Sequence, residues 1–229
     1  MGSGASDRNQ DHTVAVTEDE QRRHWSGTYR AHSDMYGDDP SEAAVAAADA
    51  FSSAGFTTVL ELGAGQGRDT LYLARHGFHV HALDYAPEGI EAIATKAAAA
   101  GLADRVSVEL HDVRGPLRLG DAEVDASYSH MLFCMELTTA ELERLVADLH
   151  RVLRPGGLVV YTVRTVDDPH YGAGVGHGNG MYEHGGFVVH FFDRSLINRL
   201  ASDFELLDVR EFTEGELPRR LAQVTMRVT

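Results

Sequence analysis

Along the chain, short β-branched runs alternate with longer segments whose apolar residues recur at helical spacing. The runs at Val59–Leu62, Phe78–Asp84, Val106–Leu110, Val124–Ser129 and Leu158–Val163 read as buried strands. Between them lie a helix from Asp69 to His76 closed by Gly77, and another from Pro87 to Ala100 closed by Gly101. A third follows Thr138 and Thr139, which offer N-caps, and carries Leu142, Leu145, Val146 and Leu149 on one face. The Arg154-Pro155-Gly156-Gly157 turn then leads into the fifth strand. Alternation of this kind predicts an α/β domain with a largely parallel sheet.

The flanks add to this frame. Residues 1–16 are small and polar and are expected to form a flexible arm, leaving 17–229 as a single domain. From Thr17 the pattern turns helical, with Glu18, Asp19 and Glu20 in the first turn and Trp25, Tyr29 and Tyr36 along the segment. These aromatics either anchor an N-terminal helix to the core or form part of a lid within 17–54. Asp39-Pro40-Ser41-Glu42 opens an alanine-rich helix running to about Ala54, with Pro40 in its first turn. A helix from Asp193 to about Ala201 precedes strands at Phe204–Val209 and Ala222–Val228, which are expected to pair antiparallel. One stretch breaks the alternation. Residues 167–190 are rich in glycine and carry His170, Tyr171, His177, Tyr182, His184 and His190, as expected of a long substrate loop.

At 229 residues one core suffices. Lys and Arg total 20 against 35 Asp and Glu, and the formal charge of −15 disfavours nucleic acid as a partner. No apolar run approaches the ~20 residues needed to span a bilayer, and the start lacks the apolar core of a signal peptide, so a cytoplasmic protein without a membrane partner is expected. The single cysteine, Cys134, allows no intramolecular disulfide. A small-molecule partner fits this balance, for a monomer or a homodimer.

The chemistry concentrates where the first strand meets Gly63-Ala64-Gly65-Gln66-Gly67. Glycine admits positive φ and close backbone approach, and the helix that follows points its free N–H groups at the same place. A tight turn that binds nothing is the plain alternative. Asp84 ends the second strand 17 positions beyond Gly67, near the offset of about 20 at which such folds place a ribose-binding acid; capping the helix ahead of Pro87 is its other reading. Asp112 follows the third strand.

With Glu61 two residues ahead of the glycines, and the Leu-Arg-Pro-Gly-Gly turn before the fifth strand, residues 59–163 resemble the S-adenosylmethionine-dependent methyltransferases. The resemblance implies an α/β, Rossmann-like fold: a seven-stranded, mostly parallel sheet with helices on both faces and an antiparallel last strand. It implies S-adenosyl-L-methionine as cofactor, held by Glu61, Gly63, Ala64, Gly65, Gly67, Arg68, Asp84, Tyr85, Asp112, Val113, Ser129 and His130. Residues 62–80, with Gly-Arg-Asp and a Leu-Tyr-Leu-Ala helix, look like the small tellurite-resistance and thiol-methyltransferase-like branch. Ala64 departs from the cysteine usual in that turn, and the histidine-rich stretch departs from that branch's pattern.

Methyl transfer to an O, N or S nucleophile needs alignment and exclusion of water, and draws on a base where the nucleophile must lose a proton. His130, His177 and His184 are the catalytic candidates, with His190 beside them; Trp25, Tyr29, Tyr36, His170, Tyr171 and Tyr182 are candidate substrate contacts. Asp167, Asp168 and Glu183 add oxygen donors near the histidines, yet the spacing matches no standard metal motif and no metal is expected. A non-catalytic cofactor-binding module and a nicotinamide-dependent oxidoreductase are the competing functions; the compressed G-x-G-x-G spacing and Asp112 disfavour the latter.

Overall fold

The computed structural model describes residues 18–215 and 219–229; the expected N-terminal arm lies outside them. Two helices come first, α1 (Glu18–Ala31) and α2 (Glu42–Ser53), then β1 (Thr58–Leu62), α3 (Arg68–Arg75), β2 (His79–Asp84), α4 (Pro87–Ala99) and β3 (Val106–Leu110). After β4 (Val124–His130), α5 (Thr139–Val152) and β5 (Leu153–Arg164) come three short strands: β6 (Val175–Gly178), β7 (Met181–His184) and β8 (Phe187–His190). The chain closes with α6 (Arg194–Leu200), β9 (Phe204–Glu214) and β10 (Arg219–Val228).

The main sheet has the order β3-β2-β1-β4-β5-β10-β9. β10 runs antiparallel to both β5 and β9, and the other six strands run one way. Strand order therefore reverses between β1 and β4, where open α/β sheets leave a crevice at the strands' carboxyl ends. On one face Ala43, Ala44, Ala47, Ala48 and Phe51 of α2 pack with Leu73 and Ile93; small side chains let α2 lie close to the sheet. On the other, Leu142, Leu145, Val146 and Leu149 of α5 pack with Ile197 and Leu200.

Local signals place the ends. Thr138 and Glu141 form a capping box at the start of α5, with the Glu141 amide donating to Thr138 Oγ1 and the Thr138 amide to the Glu141 side chain. Ser41 caps α2 by accepting from the Ala44 amide at 3.0 Å, so Pro40 lies outside the helix rather than in its first turn. The larger correction concerns residues 167–190, which hold a three-stranded antiparallel sheet and not an open loop. Its two hairpins turn on Asn179-Gly180 and Gly185-Gly186, all four residues at positive φ, the geometry of tight turns that match strand twist.

Candidate active site

At the carboxyl end of β1 the Gly63 and Ala64 amides donate to the Leu83 carbonyl at 2.9 and 3.0 Å, and the Gly65 amide donates to Asp84 Oδ2 at 2.8 Å. Asp84 Oδ1 accepts from the Ala86 amide at 2.8 Å. Burial pushes the Asp84 carboxyl up to about 6, although these amides favour its charged form. Gly67 sits at φ +85°, capping α3, and a Cβ there would lie 2.8 Å from Ile93 Cγ1. The turn is thus clamped between β2 and α4.

Above it lies a cavity of about 590 Å³. Of the residues named from the sequence, Trp25, Tyr29, Tyr36, Glu61, Gly63, Ala64, Gly65, Arg68, Asp84, Tyr85, Asp112, Val113, His130, His170, Tyr182 and His184 line it. Four lie elsewhere. Gly67 serves helix packing, and Ser129 is buried with its hydroxyl donating to the Leu62 carbonyl at 3.1 Å. His177 lies in the small sheet with Nε2 3.2 Å from Glu183, and Tyr171 packs edge-on against Tyr182 and Phe191 at the surface. His190 is also buried away from the cavity, with Nδ1 2.8 Å from the Leu137 carbonyl.

One wall is acidic. Glu61 is 3% exposed and its Oε2 has no hydrogen-bond partner among the described residues. Burial first, and the Asp69 carboxylate second, push its carboxyl well above the usual range. Asp69 is itself engaged by the Ser41 amide and hydroxyl at 2.8 and 2.7 Å and by the Tyr128 hydroxyl at 2.9 Å. An orphaned, desolvated carboxyl beside a glycine turn is a seat for a cation or a strong donor.

Farther along, Asp112 accepts from the Arg114 amide and side chain at 2.8 to 3.2 Å. Burial opposes the charge on Asp112, but these bonds outweigh it and lower its pKa. His111, which the motif reading missed, also lines the cavity, with a buried and unpartnered Nε2 among the described residues.

The roof is built from two elements far apart in sequence. Gln21 of α1 donates to the Gly186 carbonyl at 2.8 Å, and Phe187 of β8 packs against His24 and Trp25 at centroid distances of 4.2 and 4.8 Å. Gln66, inside the glycine turn, reaches up: its Nε2 donates to the His32 carbonyl at 2.8 Å and its Oε1 accepts from the Met35 amide at 3.1 Å. Nothing in the periodicity marked this glutamine, whose role rests on contacts more than 30 residues away.

Beyond the methionine-rich end of β4, His130 has Nδ1 2.9 Å from Thr162 Oγ1 and Nε2 3.3 Å from Glu214 Oε2. Arg164, under Phe191 at 5.1 Å, grips Asp168 through two nitrogens and contacts His170 Nδ1 at 2.8 Å. A guanidinium only donates, so Nδ1 accepts and the His170 proton sits on Nε2. His184 stacks on His170 at 5.3 Å. With Asp168 held by Arg164, and His177 by Glu183, no group of three or more candidate ligands for a metal occurs among the described residues.

Comparison with known proteins agrees with this geometry. Residues 59–157 match the family model described as methyltransferase domain. Phosphoethanolamine N-methyltransferase 1 of Triticum aestivum is 37% identical over 101 residues, 44% of this chain and 20% of that protein. The chain spans between 20% and 43% of the length of the curated relatives it matches. Among solved structures, the 1,6-didemethyltoxoflavin-N1-methyltransferase of Burkholderia thailandensis, crystallised with 1,6-didemethyltoxoflavin and S-adenosylhomocysteine, aligns with a TM-score of 0.71 at 21% identity, covering 92% of this chain and 88% of that one. A SAM-dependent methyltransferase of Methanosarcina mazei aligns at 0.66 and 18% identity, covering 75% and 92%. Residues 59–157 are therefore similar to the methyltransferase domain family, and the chain has the Rossmann-like fold seen in solved S-adenosylmethionine-dependent methyltransferases.

Proposed function

We propose that the chain transfers the methyl group of S-adenosylmethionine to a nucleophile of a small molecule. The observation that carries this reading is the glycine turn braced on Asp84 beside the orphaned carboxyl of Glu61, all lining one cavity. When bound, S-adenosylmethionine supplies a methyl group on a sulfonium, which is a good leaving group without further activation. Asp84 retains acceptor capacity for the ribose hydroxyls beyond its two amide bonds, and Glu61 offers its free oxygen to the amino group. Asp112 and the Val113 amide are assigned to the adenine edge, with Tyr85 as a wall.

The chain's own part in the reaction is to align and to keep water out. Trp25, Tyr29 and Phe187 close the cavity from above, and Tyr36, Tyr182, His170 and His184 form the acceptor side. A cavity of this size and a strongly acidic chain support a small acceptor over a polymer. Among the described residues no helix is long and apolar enough to cross a membrane. The similarities do not specifically show the tellurite-resistance branch. Formation of S-adenosylhomocysteine across a panel of tellurite, selenite, halides, thiols, phenols, amines and carboxylates tests the reading. Turnover on at least one acceptor is expected; tight cofactor binding with no turnover on any would replace it by a non-catalytic binding module.

A further inference from the structure

We propose that Glu214 is the residue that meets the methyl acceptor, that His130 and Thr162 position it, and that the acceptor nucleophile is a nitrogen bearing hydrogen, an amine or a ring N–H. This assignment rests on the methyl-transfer reading above and narrows its substrate class.

It begins with the two nitrogens of His130. Thr162 is buried and its Oγ1 accepts from the Met131 amide at 2.9 Å; the same oxygen lies 2.9 Å from His130 Nδ1. Nε2 faces Glu214 at 3.3 Å. An ionised carboxylate only accepts, so the Nε2 that faces Glu214 carries the hydrogen. Neither nitrogen is left with a lone pair aimed into the cavity, and His130 is not placed to take a proton from an acceptor. Met131 itself stands at φ +65°, a backbone conformation that is costly outside glycine, and its amide bond to Thr162 helps hold it there. With the chain held in that turn, His130 at the end of β4 faces Glu214.

Glu214 ends β9, opposite Arg219 in the β10 register, and its side chain is 28% exposed at the cavity wall. The groups facing it are His130 from β4, Arg68 from α3 and Arg219 from β10. The His130 hydrogen bond lowers its pKa most, burial works against this, and the two guanidinium groups add to the lowering. A carboxylate held ionised in a partly dry cavity accepts N–H strongly and repels another carboxylate or an oxyanion. Of the cations nearby, Arg164 is matched by Asp168 and Arg68 lies 3.3 Å from Asp69, while Arg219 faces Glu214 itself. The aromatic faces of Trp25, Tyr182 and Phe187 along the cavity suit a planar or cationic nitrogen compound.

In the transfer step a neutral amine nitrogen donating its N–H to Glu214 uses its lone pair to form the N–C bond as the C–S bond breaks and its electrons return to sulfur. The nitrogen becomes a cation still hydrogen-bonded to Glu214 and loses its proton to water as the product departs. A ring N–H, whose own lone pair belongs to the aromatic system, gives its proton to Glu214 as the N–C bond forms and the C–S electrons return to sulfur. The methylated ring nitrogen thus ends neutral, and Glu214 later passes the proton to water.

The test titrates protein saturated with S-adenosylhomocysteine, by calorimetry, with benzylamine, benzimidazole, benzoate and selenite, and follows transfer from methyl-labelled S-adenosylmethionine by NMR. We expect at least one nitrogen probe to bind tenfold or more tightly than benzoate or selenite, and methyl transfer to be confined to nitrogen. Glu214→Gln is expected to bring that preference within twofold with S-adenosylhomocysteine affinity unchanged within twofold, Glu214→Asp to retain part of it, and His130→Gln to reduce it three- to tenfold. Equal or tighter binding of benzoate or selenite, methylation of those instead of nitrogen, binding of no probe, or a preference that survives in Glu214→Gln overturns the assignment. Failure of S-adenosylhomocysteine itself to bind is a different result, and overturns the methyl-transfer reading with everything built on it.

Discussion

Single residues decide how close the cofactor side of the cavity can be drawn together. Gly89 lies inside α4, where alanine ordinarily stabilises a helix by about 1 kcal/mol over glycine. Here a Cβ would lie 2.4 Å from the Gly65 carbonyl oxygen, which cannot move without opening the turn. The clash wins over the propensity. Gly89→Ala is expected to lower the melting temperature and to weaken S-adenosylhomocysteine binding at least tenfold, measured by scanning calorimetry and titration; a more stable protein with unchanged affinity would contradict this. Glu61 makes the opposite trade. Its folded-state pKa is raised, so the stability it permits is fully present below the unfolded value of about 4.3 and is lost as pH rises through the folded one. Glu61→Gln removes that loss, so the empty variant should melt higher than wild type at pH 7, with the gap closing towards pH 4, while S-adenosylmethionine affinity falls tenfold or more. Motif spacing singled out Glu61 and Asp84, both of which line the cavity, because both lie at fixed offsets from the glycines. It misplaced Ser129, whose hydroxyl is taken by the Leu62 carbonyl, because alternation along a strand says which face a side chain takes and not what waits there.

Among elements, the least expected feature is the meeting of α1 with the small sheet. The Asn179-Gly180 and Gly185-Gly186 turns were present in the sequence as hairpin signals. The four-residue strands they join are too short to show a period of two, and β6 carries two glycines, so the segment read as a loop. Gln66 was equally silent, since its partners His32 and Met35 become neighbours only once the chain has folded. Its two bonds tie the segment after α1 to the glycine turn, which couples roof to floor. Gln66→Ala is expected to speed amide hydrogen exchange in residues 32–36 while leaving β1 and β4 protected, and to weaken S-adenosylhomocysteine binding several-fold. Unchanged exchange in that segment would show that the roof is held by the α1 and Phe187 contacts alone.

At the scale of the molecule, the seven-stranded sheet was legible from residues 59–163 and the antiparallel closing pair because buried parallel strands and their helices leave strong periodic signals. The rest of the cavity wall was less so, because it is assembled from α1, β4, β5, β7, β8 and the end of β9, none of which carries a motif. This division has a physical basis: a cofactor common to many chains is met by a compact local turn, while the wall beside it is made of scattered side chains free to vary with the acceptor. The central claim is that the Gly63–Gly67 turn, Asp84 and Glu61 form a seat for S-adenosylmethionine. Calorimetric titration of S-adenosylhomocysteine into the wild-type chain and into Asp84→Asn, with NADH as the control ligand, tests it most directly. One site per chain in the wild type, weakened at least tenfold in Asp84→Asn and unmatched by NADH, is the predicted result; no S-adenosylhomocysteine binding, or binding of NADH in its place, would contradict it.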